Sequence, residues 1–87
     1  MKAKREKRSV SLYGHRTSVA LETPFWKVIE QEAANAGQSL AGLICQIDDI
    51  RIAEKSSLGL AAYLRVWVLN RTLDKLSIHS LDIKSGP

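Results

Sequence analysis

The sequence predicts a mainly α-helical fold with one short strand, and three observations predict it. Thr17, Val19 and Leu21 alternate with Arg16, Ser18 and Ala20, a two-residue period that marks a strand. Two segments with apolar residues at helical spacing follow, one from Phe25 to Ala36 and one from Leu40 to about Ile52. A third stretch, Leu58 to Leu73, is apolar on nearly every side, which is the composition of a buried helix.

Taken in order, the chain opens with a segment too charged to bury. Residues 1–16 hold six cations against one anion, a net of +5, whereas the remaining residues hold seven against eight. The whole excess of the +4 net charge therefore sits at one end. That is the pattern of a basic arm that follows a polyanion, and residues 1–14 are expected to be flexible. The strand from Arg16 to Leu21 comes next. Thr23-Pro24 then signals a helix start, with Thr23 as cap and Pro24 at the first helical position, where its missing N–H is not needed. Phe25, Ile29, Ala33 and Ala36, with Trp26 beside them, form the apolar face of this first helix, and Gly37 supplies a left-handed stop. Ser39 caps the second helix, whose stripe is Leu40, Leu43, Ile44, Ile47 and Ile50. After Glu54-Lys55-Ser56-Ser57 the third helix closes a domain spanning residues 15–73. Residues 74–87 form a tail in which Ile78, Leu81 and Ile83 can dock and Ser85-Gly86-Pro87 should fray.

A lone strand leaves its backbone donors and acceptors unpaired, so it needs a partner. The simplest is the same strand of a second copy, antiparallel across a two-fold axis, with the helices of both chains covering one face. Thr17, Val19 and Leu21 would line that face, and Arg16, Ser18 and Ala20 would point away from it. At 87 residues the chain buries little surface alone, which also favours a homodimer. The alternative is pairing in cis, because Ser9 to Tyr13 also alternates and Gly14-His15 can serve as a hairpin loop of type II′. Against it stands an apolar set that changes parity across Gly14.

Composition narrows the function. One cysteine, Cys45, cannot form an intramolecular disulfide, and the chain opens without a secretory leader, so a reducing cytoplasm is expected. The longest apolar run, Leu60 to Leu69, is interrupted by Arg65 and is about half the length of a membrane span. Cys45 has no thiol or imidazole beside it and reads as a packing residue. His15 and His79 lack ligand-spaced partners. Asp48 and Asp49 diverge by about 100° on a helix and cannot act as a dyad. Trp26, Tyr63 and Trp67 read as core or interface aromatics. With no nucleophile, acid–base pair or metal cluster at usable spacing, neither an enzyme nor a cofactor is expected.

The order of a short strand opening with Arg16, a Pro24-started helix, a Gly37-Gln38-Ser39 turn and a second amphipathic helix resembles the ribbon-helix-helix family of the Met and Arc repressors. His15-Arg16-Thr17-Ser18-Val19-Ala20-Leu21-Glu22, Phe25-Trp26 and Leu64-Arg65-Val66-Trp67-Val68-Leu69 are similar to a branch of short stand-alone members with a third helix. The resemblance implies a homodimeric, cytoplasmic transcription regulator, a repressor whose intermolecular ribbon enters the major groove of double-stranded DNA. Arg16, Ser18 and Ala20 then become the base-reading residues. Arg16 suits the paired acceptors of guanine, Ser18 either donors or acceptors, and Ala20 a thymine methyl. Lys2, Lys4, Arg5, Lys7 and Arg8 suit phosphates, and His15 flanks the ribbon as a further phosphate contact. The family also sets the start of its second helix against a phosphate, here Ser39, whose helix end carries exposed N–H groups. Ala20 departs from the pattern in lacking a hydrogen-bonding group, and Gln38 in being polar. The alternative function is an antitoxin-like interaction module whose tail from Asp74 to Pro87 binds a partner protein.

Overall fold

The computed structural model describes residues 4–84 of the chain, with side chains described over residues 4–77. The frayed end expected at Ser85-Gly86-Pro87 lies outside the described residues. Two strands, β1 (Arg5–Leu12) and β2 (His15–Glu22), precede three helices, α1 (Thr23–Asn35), α2 (Leu40–Ala53) and α3 (Leu60–Lys84).

The largest departure from expectation is β1. Arg5–Leu12 is a strand and no flexible arm, and it pairs antiparallel with β2 over the full length of both, from Leu12 opposite His15 to Arg5 opposite Glu22. The ribbon is thus closed in cis, in place of the pairing with a second copy that a lone strand would need. The loop is Tyr13-Gly14, one residue earlier than Gly14-His15. Its backbone has φ of 51° at Tyr13 and 79° at Gly14, the two left-handed residues of a type I′ turn, whose twist matches that of the strands. The parity change across Gly14 is no obstacle to a hairpin, because every two-residue loop demands it. With two loop residues, each even-numbered residue of β1 faces an odd-numbered residue of β2, so Val10 and Leu12 share a face with Thr17, Val19 and Leu21.

That shared face carries the core. Val10, Leu12, Val19 and Leu21 are buried against Trp26, Ile29 and Ala33 of α1, Leu43, Ile44 and Ile47 of α2, and Leu64 and Val68 of α3. The indole N–H of Trp26 donates to the Glu6 carbonyl at 2.8 Å, which satisfies the polar atom of the largest buried side chain.

Helix ends follow their sequence signals with one exchange. Thr23 does not cap α1. It is the first helical residue, and both its N–H and its hydroxyl donate to the Lys4 carbonyl, extending the strand pairing into the helix start. Gly37, at φ 67°, ends α1 as expected: the Gln38 N–H reaches the Ala33 carbonyl and the Gly37 N–H that of Ala34, the two bonds of a Schellman stop. Ser39 caps α2 by accepting from the Gly42 N–H at 3.0 Å.

The third helix is longer and less buried than its composition suggests. It continues to Lys84, through most of the segment expected to be a tail. Among the described side chains only Leu64 and Val68 are buried on it, while Val66, Leu69, Leu73 and Leu76 face water. None of the described helices is long and apolar enough to cross a membrane.

Candidate nucleic-acid interface

Because all three helices pack on one face of the ribbon, the other face is left to solvent. Register assigns its residues in opposed pairs: Arg5 with Glu22, Lys7 with Ala20, Ser9 with Ser18 and Ser11 with Arg16. Arg16, Ser18 and Ala20 do point away from the core, and Arg16 and Ser18 are exposed. The neighbours that a second copy would supply in an intermolecular ribbon are supplied instead by β1. Three cations, Arg5, Lys7 and Arg16, share this face with one anion, Glu22. Ser9, Ser11 and Ser18 lie between them, and the guanidinium of Arg16 leans toward the Ser9 hydroxyl at 3.4 Å. Ser9 and Ser11 are not among the residues that the sequence singles out, although the parity rule for a two-residue loop would find them.

The anion of the face is already committed. Glu22 accepts from the Arg65 guanidinium at 2.9 and 3.4 Å, and Arg5 stands 3.6 Å away. The Arg65 hydrogen bonds, with a smaller contribution from Arg5, hold the Glu22 carboxyl below the usual carboxylate range. Glu22 therefore stays ionised and paired near neutrality, and it takes little from the positive potential of Lys7 and Arg16.

The cations expected on phosphates divide. Lys4, Arg5 and Lys7 are exposed. Arg8 belongs to the inner face and corrects the expectation for that residue: its guanidinium bonds Glu6 at 2.5 Å and Glu30 at 3.3 Å and lies 4.7 Å from the centre of the Trp26 ring. The alternation that aims Lys7 outward turns Arg8 inward, where it covers the indole. Lys2 lies outside the described residues. His15 is exposed at the hairpin end, opposite Leu12. Ser39 is exposed, but its hydroxyl is spent on the cap, and it stands ten residues before Asp49, which meets the hairpin tip. That is about 15 Å along the helix axis.

The tip has a fastening the sequence does not disclose. The Tyr13 hydroxyl donates to both oxygens of the Asp49 carboxylate, at 2.6 and 2.7 Å, tying the turn to α2. This bond, with a smaller contribution from the nearby Cys45 thiol, pushes the Tyr13 phenol well above the ordinary tyrosine range. Asp48 pairs with Arg51 at 2.8 Å, so the two adjacent carboxylates have separate structural duties. Among the described residues no group of His, Cys, Asp and Glu is arranged to hold a metal ion.

Comparison with known proteins bears on this architecture. A family model described as a ribbon-helix-helix domain matches residues 5–72, a span that takes in both ribbon strands, the turn between them, α1, α2 and the start of α3. Comparison with curated proteins finds no match. Among solved structures, the chain is similar to an uncharacterized protein from Bordetella pertussis Tohama I, at 30% identity and a TM-score of 0.76 over 86% of this chain. The match spans 61% of that protein's length.

Proposed function

This chain belongs to the ribbon-helix-helix domain family, and from that premise we propose that it is a sequence-specific DNA-binding regulator, a repressor that presents the outer face of its ribbon to the major groove. The family consists in general of DNA-binding regulators rather than enzymes. The observation that carries the proposal for this chain is the outward face itself, where Lys7, Arg16 and three serines lie free of the core while the one acid is paired to Arg65. A two-stranded ribbon fits the major groove, and Arg with Ser is a side-chain set that reads base edges. Arg16, Ser18 and Ala20 are the proposed base-reading row, joined now by Ser9 and Ser11. Lys4, Arg5, Lys7 and His15 are proposed for phosphates.

Homodimerisation belongs to the same proposal, in altered form. In a hairpin closed by a two-residue loop, the backbone groups of Arg16 and Ser18 turn away from β1, toward the far edge of β2. Further along that edge the Ala20 carbonyl accepts from Arg65 at 3.2 Å. A second β2 added antiparallel at Arg16 and Ser18 would set two reading rows side by side across a two-fold axis. Fluorescence anisotropy against the protein's own upstream DNA across a salt series, with light scattering on the same sample, tests both parts. Saturable binding that weakens steeply with salt, by a dimer, is expected. Salt-independent or absent binding sinks the DNA reading, and a monomer on and off DNA sinks the paired rows.

One observation favours a second reading. Val66, Leu69, Leu73 and Leu76 repeat at spacings of three and four along the exposed side of α3, an apolar stripe suited to a partner protein. Leu69→Ser with Leu73→Ser, and separately the removal of residues 74–87, would then each weaken a protein complex and leave salt-dependent DNA binding intact.

A further inference from the structure

The ribbon leaves unused a cavity of about 270 Å³ on the helical side, where α1, α2 and α3 converge. Its lining is mixed in character. Ile47, Ile50 and Trp67 supply apolar surface, with Ile50 still 45% exposed, so apolar surface meets water there. Polar groups are interleaved with them: Gln46 lies one turn from Ile50 on α2, Arg71 one turn from Trp67 on α3 with its guanidinium 6.0 Å from the centre of the indole ring, and Glu32 comes from α1.

Glu32 is a carboxylate only 6% exposed, and it is held by two cations of α3, the Arg71 guanidinium through Nε and the Lys75 ammonium at 2.9 Å. Two positive charges on one negative leave a local excess of one. Arg71 is 54% exposed, and among the described residues its terminal Nη groups make no hydrogen bond. Gln46 accepts from Gln38 at 3.0 Å and keeps its own amide N–H groups for another acceptor. The cavity therefore offers an unspent guanidinium fork, an amide donor and an aromatic–aliphatic wall within one space.

We propose that this cavity binds a small amphipathic monocarboxylate, with its carboxylate on Arg71 Nη and Gln46 Nε2 and its hydrocarbon part against Ile47, Ile50 and Trp67. A monoanion balances the excess charge, which a dianion would overshoot. The fork geometry favours a planar carboxylate. The volume lies near the lower end for ligand pockets, which limits the occupant to about 10–15 non-hydrogen atoms. The proposal does not rest on DNA binding, and its test reads ligand alone.

Calorimetry and Trp67 emission on the full chain test it, with octanoate and 4-phenylbutyrate as probes and octan-1-ol and acetate as controls. Trp26 is sealed in the core, so a ligand-dependent change in emission that disappears in Trp67→Phe reports the cavity. Both amphipathic acids are expected to saturate with Kd of about 1 mM or tighter, and both controls to bind at least about tenfold more weakly. Arg71→Gln should weaken the acids about tenfold or more. Ile50→Trp, which fills the apolar side and leaves every charge in place, should do the same in a folded chain. Equal binding of octan-1-ol, no saturation by either acid, or affinity unchanged in both variants would overturn the proposal.

Discussion

Lys7 and Arg8 are adjacent and carry the same charge, yet the ribbon puts them to opposite uses. Lys7 stands on the outer face opposite Ala20, while Arg8 stands on the inner side, bonded to Glu6 and Glu30 and stacked on Trp26. A run of cations is thus not one functional unit once it becomes a strand. Period-two geometry sorts its members into those that hold the fold and those that meet a partner, and the sorting makes measurable claims about each face.

The inner face should dominate stability. Trp26→Ala removes the largest fully buried side chain and its bond to the Glu6 carbonyl, and urea unfolding should register a loss of about 3–5 kcal/mol. Arg16→Ala on the outer face should leave the unfolding midpoint within error while costing about 1–3 kcal/mol of specific DNA affinity. A clear loss of stability in Arg16→Ala would mean that the outer face is also structural, and the two-face contrast would break.

The Lys7 and Arg8 pair sharpens the contrast further. Lys7→Ala should lower the slope of log affinity against log salt by about 1 and leave stability unchanged, the signature of one phosphate contact. Arg8→Met keeps an apolar stem over the indole but removes the charge. It should lower stability by about 1 kcal/mol with no change in salt slope. Equal salt slopes for the two variants would show that Arg8 leaves Trp26 when DNA binds.

A smaller effect concerns the helical side. The Arg71 bond first and the Lys75 bond second hold the Glu32 carboxyl below the usual carboxylate range. A carboxyl with a depressed folded pKa adds stability above its unfolded pKa, about 4.3, and that stability is lost as pH falls through the folded value. Glu32→Gln should flatten the acid side of the stability–pH curve and lower the neutral plateau by about 1–2 kcal/mol. An acid limb identical to that of the parent chain would place the titration elsewhere.

The legible parts of the molecule are those set by local chemistry. Helix periodicity, the Gly37 stop, the Ser39 cap and the outward aim of Arg16, Ser18 and Ala20 follow from spacing and from groups that need no distant partner. What stays hidden depends on pairing. β1 looks like an arm because Lys4, Arg5, Lys7 and Arg8 are costly to bury, and only the hairpin shows that Arg8 finds Glu6, Glu30 and an indole. The turn is disguised because Tyr13 is a poor left-handed residue, one that asparagine or glycine would normally replace. The third helix misleads in the opposite direction, since its apolar surplus at Val66, Leu69, Leu73 and Leu76 suggests burial and faces water instead.

Tyr13 sits where the two faces meet, and its variant should have the smallest effect. The residue is 71% exposed, so packing does not explain a left-handed tyrosine, whereas its hydroxyl on Asp49 gives the strained position a purpose. Hydrogen bonding to Asp49 raises the phenol pKa. A group raised above its unfolded pKa, about 10 for tyrosine, contributes stability that is present below that pH and is lost as pH climbs through the folded value. Ultraviolet titration of the folded chain should therefore show both phenols ionising later than a free tyrosine, and the Tyr13 step, the one that vanishes in Tyr13→Phe, should move toward the ordinary range in Asp49→Asn. Tyr63, whose hydroxyl donates to Glu54 at 2.5 Å, is also raised and supplies the internal comparison, because Tyr63→Phe should leave the Tyr13 step in place. If Asp49→Asn leaves the Tyr13 step as late as in the parent chain, the turn is not fastened to α2 through Asp49, and the ribbon would owe its orientation to the inner-face core alone.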